Sequence, residues 1–151
     1  MMTDDSAHGR AWAVLFSRLI LGFIFFMAGV FKVFQMGPLT HATNLFVEPY
    51  ADTFLPVWSL WLTGATIPVV ELIAGALLLV GWRTRDALVA LGVVLVIVTF
   101  GHLIPEPLFA FDRHVIPRWA LLTVCFLLRD DDAMSIDGWL RQRRNSPPPA
   151  A

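Results

Sequence analysis

Long apolar runs separated by short polar breaks organise this chain. Residues 11–36, 58–80, 87–103 and 116–128 are almost wholly hydrophobic, and Gly37-Pro38, the 81–86 turn and Pro105 with Pro107 divide them. Runs of about 20 apolar residues match the hydrocarbon thickness of a bilayer, so the pattern predicts membrane-spanning helices. The fourth run is short for a crossing. Between the first two runs, HATNLFVEPYADTF is of mixed polarity and bounded by prolines, which predicts an extramembrane loop with a short interfacial helix. Trp58, Trp61 and Trp82 stand at the two ends of the second run, where an aromatic belt belongs.

Charge inside these runs is sparse and patterned. Ile67 to Arg83 is apolar except for Glu71 and its polar end, and an unpaired carboxylate there would neutralise, meet a cation or face water. Gly64, Pro68, Glu71, Gly75 and Leu78 recur at spacings of four and three, which places them on one helix face. Arg18, Gly22, Phe25, Gly29 and Lys32 do the same in the first run. Two glycine faces allow close backbone approach, so the expectation is an interior polar cluster of Arg18, Lys32 and Glu71 between helices packed through Gly22, Gly29, Gly64 and Gly75. A rise of about 1.5 Å per residue puts Glu71 about 7 Å in height from Arg18 and about 14 Å from Lys32. Side chains lean toward their own helix N-terminus, however, which draws Lys32 and Glu71 together and Arg18 away. The partner of Glu71 stays open between the two. A buried ion pair that locks helix register is the leading role for the cluster, ahead of a proton-handling or ligand-anchoring site.

Composition agrees with the pattern: 57% hydrophobic, 15% charged and a mean hydropathy of +0.68 describe an integral membrane protein in contact with the lipid bilayer. A net charge of −1 with dispersed cations excludes a nucleic-acid partner. Cys125 is the single cysteine, so disulfide exchange would need a second chain, and in an apolar helix it is a packing residue. Residues 1–10 form a polar leader with an acidic start, and the first run is too long for a signal peptide, which predicts an uncleaved span. After the fourth run, Asp130, Asp131 and Asp132 mark its end. Ile136, Trp139 and Leu140 then form the apolar side of an arginine-rich surface helix, and Pro147 to Pro149 open a disordered tail, so 130–151 reads as an amphipathic segment and tail. Most arginines fall on the side of the termini, which places both termini in the cytoplasm.

On the opposite side lie His41, His102, Glu106 and His114, a candidate periplasmic polar site, with Glu48, Asp52 and Asp112 nearby. Their spacing matches no metal motif, and a second axial histidine at the depth of His102 is missing for haem. Trp82-Arg83 and Arg118-Trp119 read as interfacial anchors, with a quinone head group as the less ordinary use.

RLILGFIFFMAGVFK followed by PVVELIAGALLLVGWRTRDAL resembles the DoxX family of small four-helix bacterial membrane proteins, over roughly Leu15 to His102. The resemblance rests on Arg18, Leu21-Gly22, Gly29, Lys32, Glu71, Gly75 and Gly81 to Arg83. It implies an all-α, polytopic four-helix bundle in a bacterial inner membrane. It also implies a membrane-anchoring subunit of a quinone-linked redox complex, passing electrons through partner proteins and without a cofactor of its own. Two alternatives come from other classes: an assembly scaffold, for which Ile136 to Arg144 would matter more than Glu71, and a small transporter or channel using Arg18, Lys32 and Glu71. No nucleophile and base pairing is visible, the catalytic residues are unassigned, and a homo-oligomer is left open.

Overall fold

The computed structural model describes residues 4–145, and these are helical throughout, joined by turns. Helix α1 (Asp4–Val30) widens into a π-helical turn over Phe31–Met36. A short helix α2 (Pro38–Ala42) and a second π-helical turn (Thr43–Val47) follow, then α3 (Val57–Val80), α4 (Thr84–Leu103), α5 (Val115–Leu127) and α6 (Ile136–Asn145). Helix α1 begins at Asp4, within the polar leader, and runs on without a break into the first apolar run. The proline-rich end beyond 145 lies outside the described residues.

Three helical stretches, Asp5–Met36, Val57–Val80 and Thr84–Leu103, are long and apolar enough to cross a membrane, and Val115–Leu127 is a shorter apolar helix. At about 1.5 Å per residue α5 reaches roughly 20 Å, short of a hydrocarbon core of about 30 Å. The chain after α5 fills the shortfall: Asp132 and Ser135 are buried in the same end of the bundle. Leu21 and Phe25 of α1, Leu78 of α3, Leu88 and Leu91 of α4, and Leu122 and Cys125 of α5 meet in one core. Outward-facing Phe, Val, Ile and Trp side chains remain exposed on the same helices, as expected where lipid is the solvent.

The α1–α3 contact sets the geometry of everything polar. Gly22 faces Leu79, Phe26 faces Gly75 and Gly29 faces Leu72, a constant antiparallel register. A Cβ at Gly29 would run into the Leu72 backbone, and one at Gly75 into that of Phe26, so these positions admit only glycine at this helix separation. Gly64, Pro68, Glu71, Gly75 and Leu78 are all buried, as one helix face should be.

Candidate functional site

This register places Glu71 beside Val30, about 3 Å in height from Lys32 and about 18 Å from Arg18, at the standard rise per residue. The Lys32 ammonium accordingly meets the Glu71 carboxylate at 2.6 Å, with Glu71 buried and the lysine side chain 24% exposed. The expected three-charge cluster is therefore corrected to two separate pairs. The height estimate failed because the ends of α1 and α3 are not level. The first two turns of α3 overhang α1, and α2 folds back along them, bringing Ala42 against Gly64.

Arg18 sits at the other end of the bundle, 2% exposed. Its Nη1 donates to the carbonyls of Leu78 and Leu79 at the C-terminal end of α3, and its Nη2 donates to Met134 at 3.1 Å. Its Nε lies 2.9 Å from Oδ2 of Asp132, a buried charge contact out of line for a hydrogen bond. A cation at the last carbonyls of α3 answers the helix dipole and the unpaired acceptors there, and the left-handed Gly81 (φ 69°) closes the same end. Asp132, which the sequence suggested only as a stop to the fourth span, is the partner that Arg18 needs. The signal was the short fourth run, which leaves the following residues to complete that layer.

Two cavities flank the Lys32–Glu71 pair. The first, about 230 Å³, is lined by Lys32, Glu71, His102, His114 and Arg118 against apolar walls from α1, α4 and α5. The second, about 220 Å³, lies between Lys32, His41, Tyr50 and His102. Lys32 and His102 thus border both spaces. His102 uses Nδ1–H on the Val98 carbonyl (2.7 Å) and packs against the tilted Phe109 ring, which leaves Nε2 as its remaining polar atom. Arg118 is held by the His114 carbonyl one turn earlier. Glu106 borders neither cavity, and its amide bonds the His102 carbonyl in the turn after α4. Of the four candidate periplasmic residues, His41, His102 and His114 therefore gather around the cavities and Glu106 does not. Among the described residues no three His, Cys, Asp or Glu side chains converge as a metal site.

His41 has a structural task that the sequence did not disclose. Pro68 lacks the N–H that would bond the carbonyl four residues earlier, so Gly64 is left with a free acceptor inside the bundle. His41 Nδ1–H supplies the missing donor at 2.7 Å, and the absence of a side chain at Gly64 lets the neighbouring Ala42 and the Phe46 ring close against α3. Glycine four residues before a buried proline was the available clue.

Burial holds the His41 pKa below its ordinary 6.5; its hydrogen bond to Gly64 opposes this, Lys32 adds to the lowering and Glu71 opposes it. The neutral ring is the folded form, so its contribution is intact above about pH 6.5 and is lost as pH falls from there through the lowered value. Unfolding midpoints in mild detergent should fall as the pH drops below about 6.5, and His41→Gln should remove this part of the slope. An unchanged slope in the variant would assign it to other groups.

Comparison with family models identifies "Methylamine utilisation protein MauE" over residues 10–105, almost two thirds of the chain. The chain belongs to that family. Comparison with curated proteins and with solved structures finds no match. The DoxX resemblance is thereby overturned, since MauE is a different membrane family. Glycine faces carrying occasional charges are what close packing of membrane helices demands generally, so the motifs behind the resemblance do not discriminate between such families. Lys32, His41, Glu71 and His102 all fall within the matched region, whereas Arg118 and Asp132 lie beyond it.

Proposed function

From membership of the methylamine utilisation family, we propose that this integral membrane protein is an accessory factor for partner redox enzymes of amine utilisation, serving them from the bilayer. The observation that carries this is the Lys32–Glu71 pair. A lock alone would be closed by packing on all sides, whereas the Lys32 side chain remains partly accessible and borders two cavities. An accessible cation over a buried carboxylate is suited to hold a polar ligand or a partner's polar group. In this reading the cavities face the periplasm and both termini the cytoplasm of an inner membrane, in keeping with the arginines gathered at the end of the termini.

A second reading, quinone binding, is favoured by one observation. The first cavity shares Leu95 and Val115 with an apolar groove between α4 and α5, bordered by Gly92, Val96, Phe100 and Trp119. A polar chamber continued by an apolar groove suits a head group with a hydrocarbon tail. The residues would hold such a ligand through Lys32, His102 and Arg118.

Deleting the gene in its own host should abolish growth that depends on methylamine while sparing growth on other nutrients, with rescue by the wild-type chain. Growth on methylamine that survives deletion would sink the accessory role. Purification in mild detergent, followed by extraction and chromatography, tests the second reading, which falls if no quinone accompanies the protein.

A further inference from the structure

The end of the bundle away from the cavities carries a second, differently built feature. Helix α6 is fixed against the turn between α3 and α4: the Asp137 carboxylate accepts the N–H groups of Arg83 (3.0 Å) and Thr84 (2.8 Å), and its own N–H donates to the Gly81 carbonyl at 2.9 Å. Gly138 lies so close to the Asp132 carbonyl that no side chain fits there, which sets the approach of the helix. Arg83 takes a left-handed conformation (φ 48°), unfavourable for a non-glycine residue and held here by Asp137.

Between that turn and α6 lies a shallow cavity of about 350 Å³ into which Arg83, Arg85, Arg129, Arg141 and Arg144 converge, with Asp130 and Asp137 as its acidic groups. Both carboxylates are already engaged, Asp130 by Arg129 and Arg141 and Asp137 by the start of α4. Arg83 pairs with Asp86, while Arg85 and Arg144 have no acidic partner among the described residues. Trp82, Met134, Ile136 and Trp139 are exposed around the same end, and Arg143 lies 3.9 Å over the Trp139 ring. Cationic forks held together on a rigid frame, beside exposed tryptophans at the end of membrane helices, match an anion that sits at the bilayer surface.

We propose that this arginine cradle binds the phosphate of an anionic phospholipid head group, with Arg85 and Arg144 as the principal contacts. The shared chemistry is a phosphate, and the membrane-interface side chains select the lipid over the free ion.

The test uses the full chain in mild detergent, titrated with phosphatidylglycerol or phosphatidylcholine and read by native mass spectrometry. Wild type should retain phosphatidylglycerol in preference to phosphatidylcholine. Each of Arg85→Gln and Arg144→Gln should weaken phosphatidylglycerol retention roughly fivefold, on the scale expected per arginine at an anionic surface. Arg113→Gln, which removes a charge from an exposed loop at the other end, should leave it unchanged. Both cradle residues are exposed, so unfolding midpoints should stay at the wild-type value and confirm folded variants. Equal retention of the two lipids overturns the proposal, as does a preference that survives both substitutions. Displacement of phosphatidylglycerol by an equal concentration of inorganic phosphate marks a free-phosphate site and overturns the assignment to lipid.

Discussion

Asp132→Ala should lower the stability of the folded protein by roughly 3–5 kcal/mol, because it leaves the Arg18 guanidinium charged and uncompensated inside the bundle. Both members of the pair are 2% exposed, so water offers little relief. The remaining acceptors of Arg18 are the carbonyls of Leu78, Leu79 and Met134, which hydrogen-bond the ion without neutralising it. Loss of Asp132 should therefore also loosen the segment that carries Met134 and α6, exposing it to limited proteolysis. Removing both partners together, as Arg18→Met with Asp132→Leu, should recover much of the loss, since paired apolar replacements avoid a stranded charge. Thermal unfolding in mild detergent measures all three variants. If Asp132→Ala unfolds at the wild-type midpoint, the contact is not a lock and the C-terminal segment is held by its other contacts, among them Asp137 at the start of α4 and the Met134 carbonyl on Arg18.

Lys32→Met is the second change with a large expected effect, and its pattern separates a lock from a site. With Glu71 left charged and buried, the folded yield should drop and the unfolding midpoint should fall, again by an amount on the order of 3 kcal/mol. Lys32→Met combined with Glu71→Leu should restore yield and midpoint because neither charge remains. The proposed accessory role requires that this stable double variant nevertheless fail to support methylamine-dependent growth. Rescue of growth by the double variant would reduce the pair to a register device, and the two cavities beside it to packing defects.

These two pairs also show where sequence reasoning stops. Each helix face was visible from spacing alone, because 3.6 residues per turn brings Gly64, Glu71 and Gly75 to one side whatever they pack against. The lean of side chains toward the helix N-terminus was equally general, and it pointed correctly to Lys32 for Glu71. Relative height was not accessible. It depends on how far α3 overhangs α1, which the fold-back of α2 decides, and no local pattern records that offset. Asp132 was hidden for a related reason: a run of three aspartates after an apolar helix looks the same whether all three are solvated or one turns inward.

Hydrophobic spacing determined, without any structure, that this is an all-helical membrane chain with glycine-lined helices and a carboxylate on their shared face, because those features follow from helix periodicity and the cost of burying charge. Which cation meets that carboxylate, which helix end Arg18 caps, and why His41 is buried were decided only by tertiary structure. Each of those depends on contacts between residues 23 to 116 positions apart, set by register and by chain reversal rather than by local composition.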